Sequence, residues 1–368
     1  MLAPLLPPAL ATLYALWQGY NYVYWRRASR QSVHGEPTEW PNIAVVVPFR
    51  NEAATLPYLL ASLKLQDYPR DRYEIILVDD HSTEEGGAAG EKHLTVLQAP
   101  DTPTVAHKKA ALTRGITHTT AELIVTTDAD CRWPRGGLRQ LARHYADGAD
   151  AVLGPVLIAP VYDFCSAFQS LDVLGYQLFT AATVSAGTPA LANGAHFAFR
   201  RSAFERVGGY AGMDHLPSGD DVLLLHKFVA AGLDVRCSTD TTNTVKTRPE
   251  PDWPALWRQR LRWAGKSGEY GSPALQLAQG LAYLTSLGIV VGLIWGLLDE
   301  QIFAGALLAW LVKGAVDYVL LREVAGHYGQ QRVLAWYGVV QLLYPFYLVA
   351  VGTAALLGLK MEWKGRPG

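Results

Sequence analysis

Hydrophobic positions along the chain fall into two regimes. Between about Pro41 and Arg248, short continuous apolar runs alternate with stretches of helical spacing, whereas toward both ends the apolar runs lengthen and charge becomes scarce. Ile43–Val47 is unbroken and ends at Pro48, the pattern of a strand buried on both faces. Glu52–Leu65 follows as a predicted helix with Asn51 as its cap. Glu74–Val78 predicts a second strand running into Asp79-Asp80, and His93–Leu97 a third. A helix is expected over His107–Thr117, then a fourth strand over Glu122–Thr127 that ends in Asp128-Ala129-Asp130, with Pro134 opening the next helix. This alternation predicts an α/β domain over about residues 40–250, built as a doubly wound, mostly parallel sheet.

Three segments on the C-terminal side, Leu275–Leu298, Ile302–Leu321 and Val333–Leu359, are each about as long as a bilayer span requires. Ala9–Trp25 is shorter and carries Gln18 and Asn21, but it is rich in Tyr and Trp. The expected layout is therefore an N-terminal membrane helix within residues 1–25 and a C-terminal membrane region over 273–360. Four buried core helices are the competing reading, disfavoured by segment length and lack of charge. With no basic residue ahead of Ala9, a cleaved signal peptide is not expected. Arg26, Arg27 and Arg30 then assign residues 26–274 to the cytoplasmic side. A third full C-terminal crossing would leave Lys360, Lys364 and Arg366 outside, against the positive-inside tendency. Either the last segment bends or re-enters near Pro345, or one span is misplaced. Lys313 and Asp317, four apart within a span, are expected to pair.

Composition sharpens this only in part. Lys+Arg 32 against Asp+Glu 33 gives a net charge of −1, so no field draws nucleic acid to the protein. Cys131, Cys165 and Cys237 show no C-x-x-C spacing and fit a reducing compartment, not a disulfide framework or a zinc site.

In an open α/β sheet, ligands bind beyond the carboxyl ends of the strands. Here those ends carry Arg50 and Glu52, then Asp79 and Asp80, then Asp128 and Asp130. Such a cluster of carboxylates repels itself unless a cation or hydrogen-bond donors are present. No glycine-rich phosphate loop follows the first strand, which excludes the dinucleotide and Walker types. Asp128 and Asp130, two apart on extended backbone, point to one side and suit a hard divalent ion. A turn with a helix cap explains them equally well in isolation, and the neighbouring carboxylates favour the metal. Asp79-Asp80 reads either as turn chemistry or as recognition of a base imide or ribose hydroxyl. Lys108 opens a helix, where the macrodipole disfavours a cation unless it faces a phosphate. Asp220 and Asp221 stand at another helix start, where acidic residues are expected on dipole grounds alone.

Gln259, Arg262 and Trp263, at i, i+3 and i+4, share one helix face and offer an amide, a guanidinium and an indole near a membrane boundary. Around them, Trp253, Trp257 and Leu261 interleave with Arg258, Arg260 and Lys266, predicting an amphipathic interfacial helix over about residues 251–272. Anchoring alone is a competing account of those Trp and Arg residues.

In order, Val47-Pro48-Phe49-Arg50-Asn51-Glu52, Val78-Asp79-Asp80-His81-Ser82, Lys108 to Gly115, Asp128-Ala129-Asp130, Gly219-Asp220-Asp221 and Gln259 to Trp263 resemble a membrane-bound family 2 glycosyltransferase of GT-A fold. The similarity spans about residues 43–263. It implies that Pro48, Arg50, Glu52, Asp79 and Asp80 hold the nucleoside, most often uridine, with Lys108 near the diphosphate. Asp130, with Asp128, would bind Mg²⁺ or Mn²⁺; Asp221, with Asp220 beside it, would deprotonate the acceptor. Gln259, Arg262 and Trp263 would line the acceptor and diphosphate side.

The chain departs from the family in two places. Gly219-Asp220-Asp221 replaces the more usual Thr/Glu-Glu-Asp, so both aspartates stay candidate bases. Ala192-Asn193-Gly194-Ala195-His196 stands where polysaccharide synthases often carry Phe-x-Cys-Gly-Ser. With few spans, the layout resembles ceramide glucosyltransferases and related bacterial lipid glycosyltransferases, and apolar Asp163–Gly187 is expected to face lipid. The implied activity is inverting transfer of one sugar from a nucleotide sugar, in the main a UDP-sugar, to a lipid hydroxyl at the cytoplasmic face of the inner membrane. A processive polysaccharide synthase, a polyprenyl-phosphate sugar transferase and a catalytically silent membrane scaffold are the rival expectations.

Overall fold

The structure is a computed structural model that describes residues 3–31, 33, 35–84, 93–101, 105–217, 219–359, 362–363 and 366–367. It divides into two compact units, one of Arg27–Ala159 and Val184–Arg248, the other of Met1–Arg26, Pro160–Thr183 and Pro249–Gly368. Helix α1 (Leu6–Ala28) comes first, followed by strand β1 (Ile43–Phe49), α2 (Leu56–Lys64), β2 (Tyr73–Asp79), β3 (Leu94–Gln98), α3 (His107–His118) and β4 (Leu123–Thr126). Next are α4 (Gly137–Ala146), β5 (Ala151–Leu153), β6 (Val156–Ile158), α5 (Phe164–Ser185), β7 (Phe197–Arg200), α6 (Arg201–Arg206), α7 (Asp220–Ala230), β8 (Val235–Cys237) and β9 (Val245–Thr247).

Seven of these strands form one sheet in the order β3-β2-β1-β4-β7-β5-β8. β1 pairs in parallel with β2 and β4, and β2 with β3. The expected parallel sheet is thus present with one exception: β7 runs antiparallel to both β4 and β5. The side-chain period of two divides β1 between the two layers. Ile43, Val45 and Val47 pack with Leu59 and Leu63 of α2 and with Leu138 and Leu141 of α4. Ala44 and Val46 pack with Leu112 and Ile116 of α3 and with Leu224 and Phe228 of α7.

Gly115 marks where α3 presses closest on the sheet. A Cβ there would lie 2.5 Å from Val46 Cγ1 and 3.1 Å from Val78 Cγ2, both buried β-branched groups. Gly115→Val is therefore expected to cost about 1–3 kcal/mol of stability or more through overpacking. Thermal melts of the two proteins check this, and an unchanged midpoint would refute the close approach.

Three local expectations are corrected. Helix α2 begins at Leu56, not Glu52, and Asn51 is not its cap. Asn51 instead takes a positive φ of 53° and spends its amide on the neighbouring loop, accepting from Thr83 N at 2.8 Å, while its own N–H donates to Ser82 Oγ at 2.9 Å. Helix α4 begins at Gly137, not at Pro134. Arg132 holds the preceding chain extended by an antiparallel bridge to Lys246, with N···O distances of 2.7 and 3.0 Å. Asp163–Gly187 is not a lipid-facing apolar element, because α5 buries Ser166, Gln169, Ser170, Asp172, Gln177 and Thr183.

The other unit contains α8 (Trp253–Ala264), α9 (Pro273–Trp295), α10 (Glu300–His327) and α11 (Tyr337–Leu356). Three helical segments, Pro273–Trp295, Glu300–His327 and Gln331–Leu356, are long and apolar enough to cross a membrane. Helix α1 has the length, at 23 residues, but is not among those three. Its polar side chains are committed inside the unit: Gln18 Nε2 donates to Tyr14 Oη at 2.8 Å, and Tyr14 Oη donates to Asp317 Oδ1 at 2.6 Å. Lys313 and Asp317 do pair, at 2.5 Å, and Lys313 is fully buried. Helix α11 continues through Pro345 without ending there. Lys360 and Lys364, on which the question of the tail's side turned, lie outside the described residues.

Candidate active site

The carboxyl ends of β1, β2 and β4 place most of the predicted residues along one sheet edge. Pro48 is the penultimate residue of β1 and is paired in register with Val78. Just beyond it, Arg50 Nη1 donates to the Asp80 carbonyl at 2.8 Å, and Asp80 N donates back to the Phe49 carbonyl at 2.8 Å. These bonds fix the loops after β1 and β2 to each other. Asp79, at the end of β2, accepts from Ser82 N at 2.9 Å and from Gln98 Nε2 at 3.3 Å. Asp80 is buried, with His107 Nδ1 3.8 Å from its Oδ1. Glu52 accepts from Thr55 Oγ1 at 2.6 Å.

A second group of carboxylates converges on Lys108, in the first turn of α3. Its Nζ lies 2.8 Å from Asp128 Oδ1 and 3.5 Å from Asp220 Oδ2. Burial alone would depress this ammonium's pKa, but Asp128, Asp220 and Asp221 outweigh it and hold the group well above the ordinary lysine value. Lys109, its neighbour in sequence, has a different part: it is buried, and its Nζ donates to the Leu216 carbonyl at 2.6 Å.

Asp130 accepts from Thr247 Oγ1 at 2.9 Å. Burial, then the adjacent Asp128 charge and Glu52, push its carboxyl up to about 6. Among the described residues no group of three or more His, Cys, Asp or Glu side chains forms a ready metal cage. Two crowded carboxylates with open positions are nonetheless the donor set a hard divalent cation uses when phosphate oxygens complete its shell. Asp128 and Asp130 therefore fit Mg²⁺ or Mn²⁺.

Asp220 and Asp221 open α7, introduced by Gly219 in the left-handed region at φ 79°. Asp220 is buried, and Asp221 accepts from Gly194 N and from Val222 N, both at 2.8 Å. Burial and the charge of Asp220 raise Asp221 to about 6, with Lys108 opposing.

Gly194 N, which donates to Asp221, belongs to the Ala192–His196 segment, marked in the sequence only by the absence of Phe-x-Cys-Gly-Ser. Thr126 and Thr127, where β4 ends, donate to the Gly194 and Ala195 carbonyls at 3.0 and 2.9 Å. His196 is fully buried against the Trp133 ring at 4.7 Å, and burial lowers its pKa to about 4, so it stays neutral.

Gln259, Arg262 and Trp263 are on α8, in the other unit. Arg260, which the sequence counts with the arginines of an interfacial helix, points inward: it is 3% exposed and salt-bridged to Asp172 at 2.8 Å. Gln259 Nε2 donates to Glu250 Oε1 at 2.6 Å. Trp263 is 39% exposed, and Arg262 is half-buried.

Residues 44–208 match the family model described as glycosyl transferase family 2. That segment is a family 2 glycosyltransferase domain. Asp220, Asp221 and the 259–263 element fall beyond the matched family 2 segment. The chain is 27% identical over 244 residues to the probable glycosyltransferase YdaM of Bacillus subtilis, covering 61% of this chain and 55% of that protein. It is 24% identical over 235 residues to a beta-monoglucosyldiacylglycerol synthase of Synechocystis, covering 61% and 47%. The chain thus spans about half the length of these relatives. A mannosyltransferase of Pyrobaculum calidifontis, solved with GDP-Man and Mn²⁺, matches with a TM-score of 0.60 at 24% identity, over 95% of this chain and 99% of that one. At that identity the likeness speaks to the GT-A fold alone.

Proposed function

We propose that this protein is an inverting, metal-dependent glycosyltransferase that moves one sugar from a nucleotide sugar, in the main a UDP-sugar, to a hydroxyl of a membrane lipid. The observation that carries the reading is the position of Lys108. One ammonium bridges a carboxylate from the end of β4, Asp128, and one from the start of α7, Asp220. That bridge supports reading Asp128 and the Asp220-Asp221 pair as parts of one site.

In this reading Pro48, Arg50, Glu52, Asp79 and Asp80 take the nucleoside, and Lys108 serves the diphosphate. Asp128 and Asp130 hold a divalent cation, which when bound supplies positive charge against the leaving diphosphate. Asp221 removes the acceptor hydroxyl proton, so attack comes from the face opposite the leaving group and the anomeric carbon inverts. Gly194 N–H fixes the orientation of the Asp221 carboxylate. Gln259, Arg262 and Trp263 serve the acceptor side. The three long apolar helices support association with a membrane. The basic residues Arg26, Arg27 and Arg30 favour the cytoplasmic face of the inner membrane. The lipid acceptor is supported by the naming of the Synechocystis relative and by the membrane layout.

Incubating the full-length protein with a panel of nucleotide sugars, extracted membrane lipids and Mn²⁺, then analysing products by mass spectrometry, tests this. A lipid carrying one added hexose is the expected product. Long sugar chains would replace the reading with a polymerase, and absence of any sugar transfer or donor hydrolysis would favour the silent scaffold.

A further inference from the structure

The conspicuous group outside the carboxylate site is a fully connected polar cluster around Arg260, within the unit that holds the long apolar helices. Arg260 Nε donates to Asp172 Oδ2 at 2.9 Å, and Nη2 lies 2.8 Å from the same oxygen. Nη1 donates to Gln259 Oε1. The guanidinium carbon stands 4.3 Å from the centre of the Trp263 ring. Its flat cation is thereby divided among three tasks: charge to Asp172, a hydrogen bond to Gln259 and a face for Trp263.

The surroundings make that arrangement rigid. Tyr344 Oη, on α11, donates to the other Asp172 oxygen at 2.6 Å. Gln259 Nε2 is fixed by Glu250, and the Glu250 backbone is clipped to α5 by Gln169, which accepts from its N at 2.8 Å and donates to its carbonyl at 3.1 Å. Donor on one side and acceptor on the other leave the Gln259 amide a single orientation. The cluster also reaches the buried ion pair of α10, since Lys313 Nζ is 5.2 Å from the Tyr344 ring centre.

A buried ion pair is a poor way to add stability, because desolvation opposes the attraction and well-packed apolar residues serve as well or better. Its better-attested use is to impose one geometry. We propose that Arg260, held by Asp172 and Tyr344, is a positioning residue that sets the orientation of Gln259 and Trp263 for handling of the acceptor. The inference rests on the proposed transfer reaction, in which those two side chains serve the acceptor. Lysine at this position would keep the charge for Asp172 but has neither the second donor direction for Gln259 nor a flat face for Trp263.

The test is a double-mutant cycle on the full-length protein: Arg260→Lys, Gln259→Ala and the pair together, with Tyr344→Phe as a milder change at the same cluster. Transfer kinetics, nucleotide affinity and hydrogen exchange over residues 253–264 are read for each. Arg260→Lys is expected to lower kcat/KM for the acceptor at least tenfold while nucleotide affinity stays within about twofold. Added to Gln259→Ala, it should cost clearly less than it does in the wild type, because one of the two side chains it orients is already truncated while Trp263 remains to be held. Tyr344→Phe should weaken transfer in the same direction by a smaller factor. Independent, multiplying losses would overturn the proposal, as would Arg260→Lys acting within twofold of wild type. Equal loss of nucleotide affinity would mean general damage and overturn it too. If the wild-type protein transfers no sugar, the functional reading fails separately. The exchange arm then still decides: faster exchange confined to 253–264 in Arg260→Lys supports positioning, and unchanged exchange refutes it.

Discussion

Replacing Asp221 by Asn is expected to reduce sugar transfer by about 10²–10⁴-fold, the range a positioned general base supplies, while nucleotide affinity changes by less than about twofold. The carboxyl is pushed up to about 6 by burial and by Asp220, so it is ionised near neutrality yet basic enough to accept a proton. The sign follows directly. Because the base must be ionised, kcat should fall as pH drops through about 6, well above where a solvent-exposed aspartate would titrate. For stability the same shift acts in reverse. A carboxyl whose pKa is raised by folding favours the folded state below its unfolded value, and that contribution is lost as pH rises through about 6. Asp221→Asn should thus melt no lower than wild type at pH 8 despite its loss of activity. Asp220→Asn separates the two candidates: removing its charge should move the acid limb to lower pH without eliminating transfer. If Asp220→Asn is inactive and Asp221→Asn is not, the roles are exchanged.

Much of the sheet was legible because strands buried on both faces leave continuous apolar runs, and Ile43–Val47 needs no context to be read. The acidic residues at the ends of β1, β2 and β4 were legible for the same reason, since strand ends in a parallel sheet are where ligands gather. β7 is not legible in the sequence because four residues between a short loop and α6 carry too little periodicity, and its antiparallel direction is set by tertiary pairing with β4 and β5. Asn51 reads as a cap because an asparagine before a helical stretch resembles one, and only the loop after β2 supplies the partner it meets in the left-handed region.

The inward turn of Arg260 was hidden for a deeper reason. Its partner, Asp172, is far away in sequence, within a stretch whose average character is apolar. A single buried carboxylate does not disturb a hydropathy pattern, yet it decides which of three arginines on α8 leaves the solvent. The same limit applies to Gly194: a backbone N–H has no sequence identity, so its bond to Asp221 becomes visible only in three dimensions.

Chelation of divalent cations is expected to lower transfer by a factor on the order of 10³, with recovery on adding Mn²⁺ or Mg²⁺, since electrostatic stabilisation of a leaving diphosphate is worth several kcal/mol. Asp130→Ala should sit at the chelated rate whatever the metal concentration. A second readout keeps the result independent of turnover. Mn²⁺ should raise the melting temperature of the wild-type protein by mass action and leave that of Asp130→Ala unmoved. Without metal the variant should be no less stable, because Asp130 is crowded by Asp128 and Glu52 and its removal relieves like-charge repulsion. Asp128→Asn serves as the control with a different fault: it removes a ligand and also releases Lys108 from one of its two carboxylates. Its loss should therefore combine weaker metal response with altered nucleotide affinity, where Asp130→Ala shows the first alone. Full activity of Asp130→Ala under chelation would remove the metal from the mechanism.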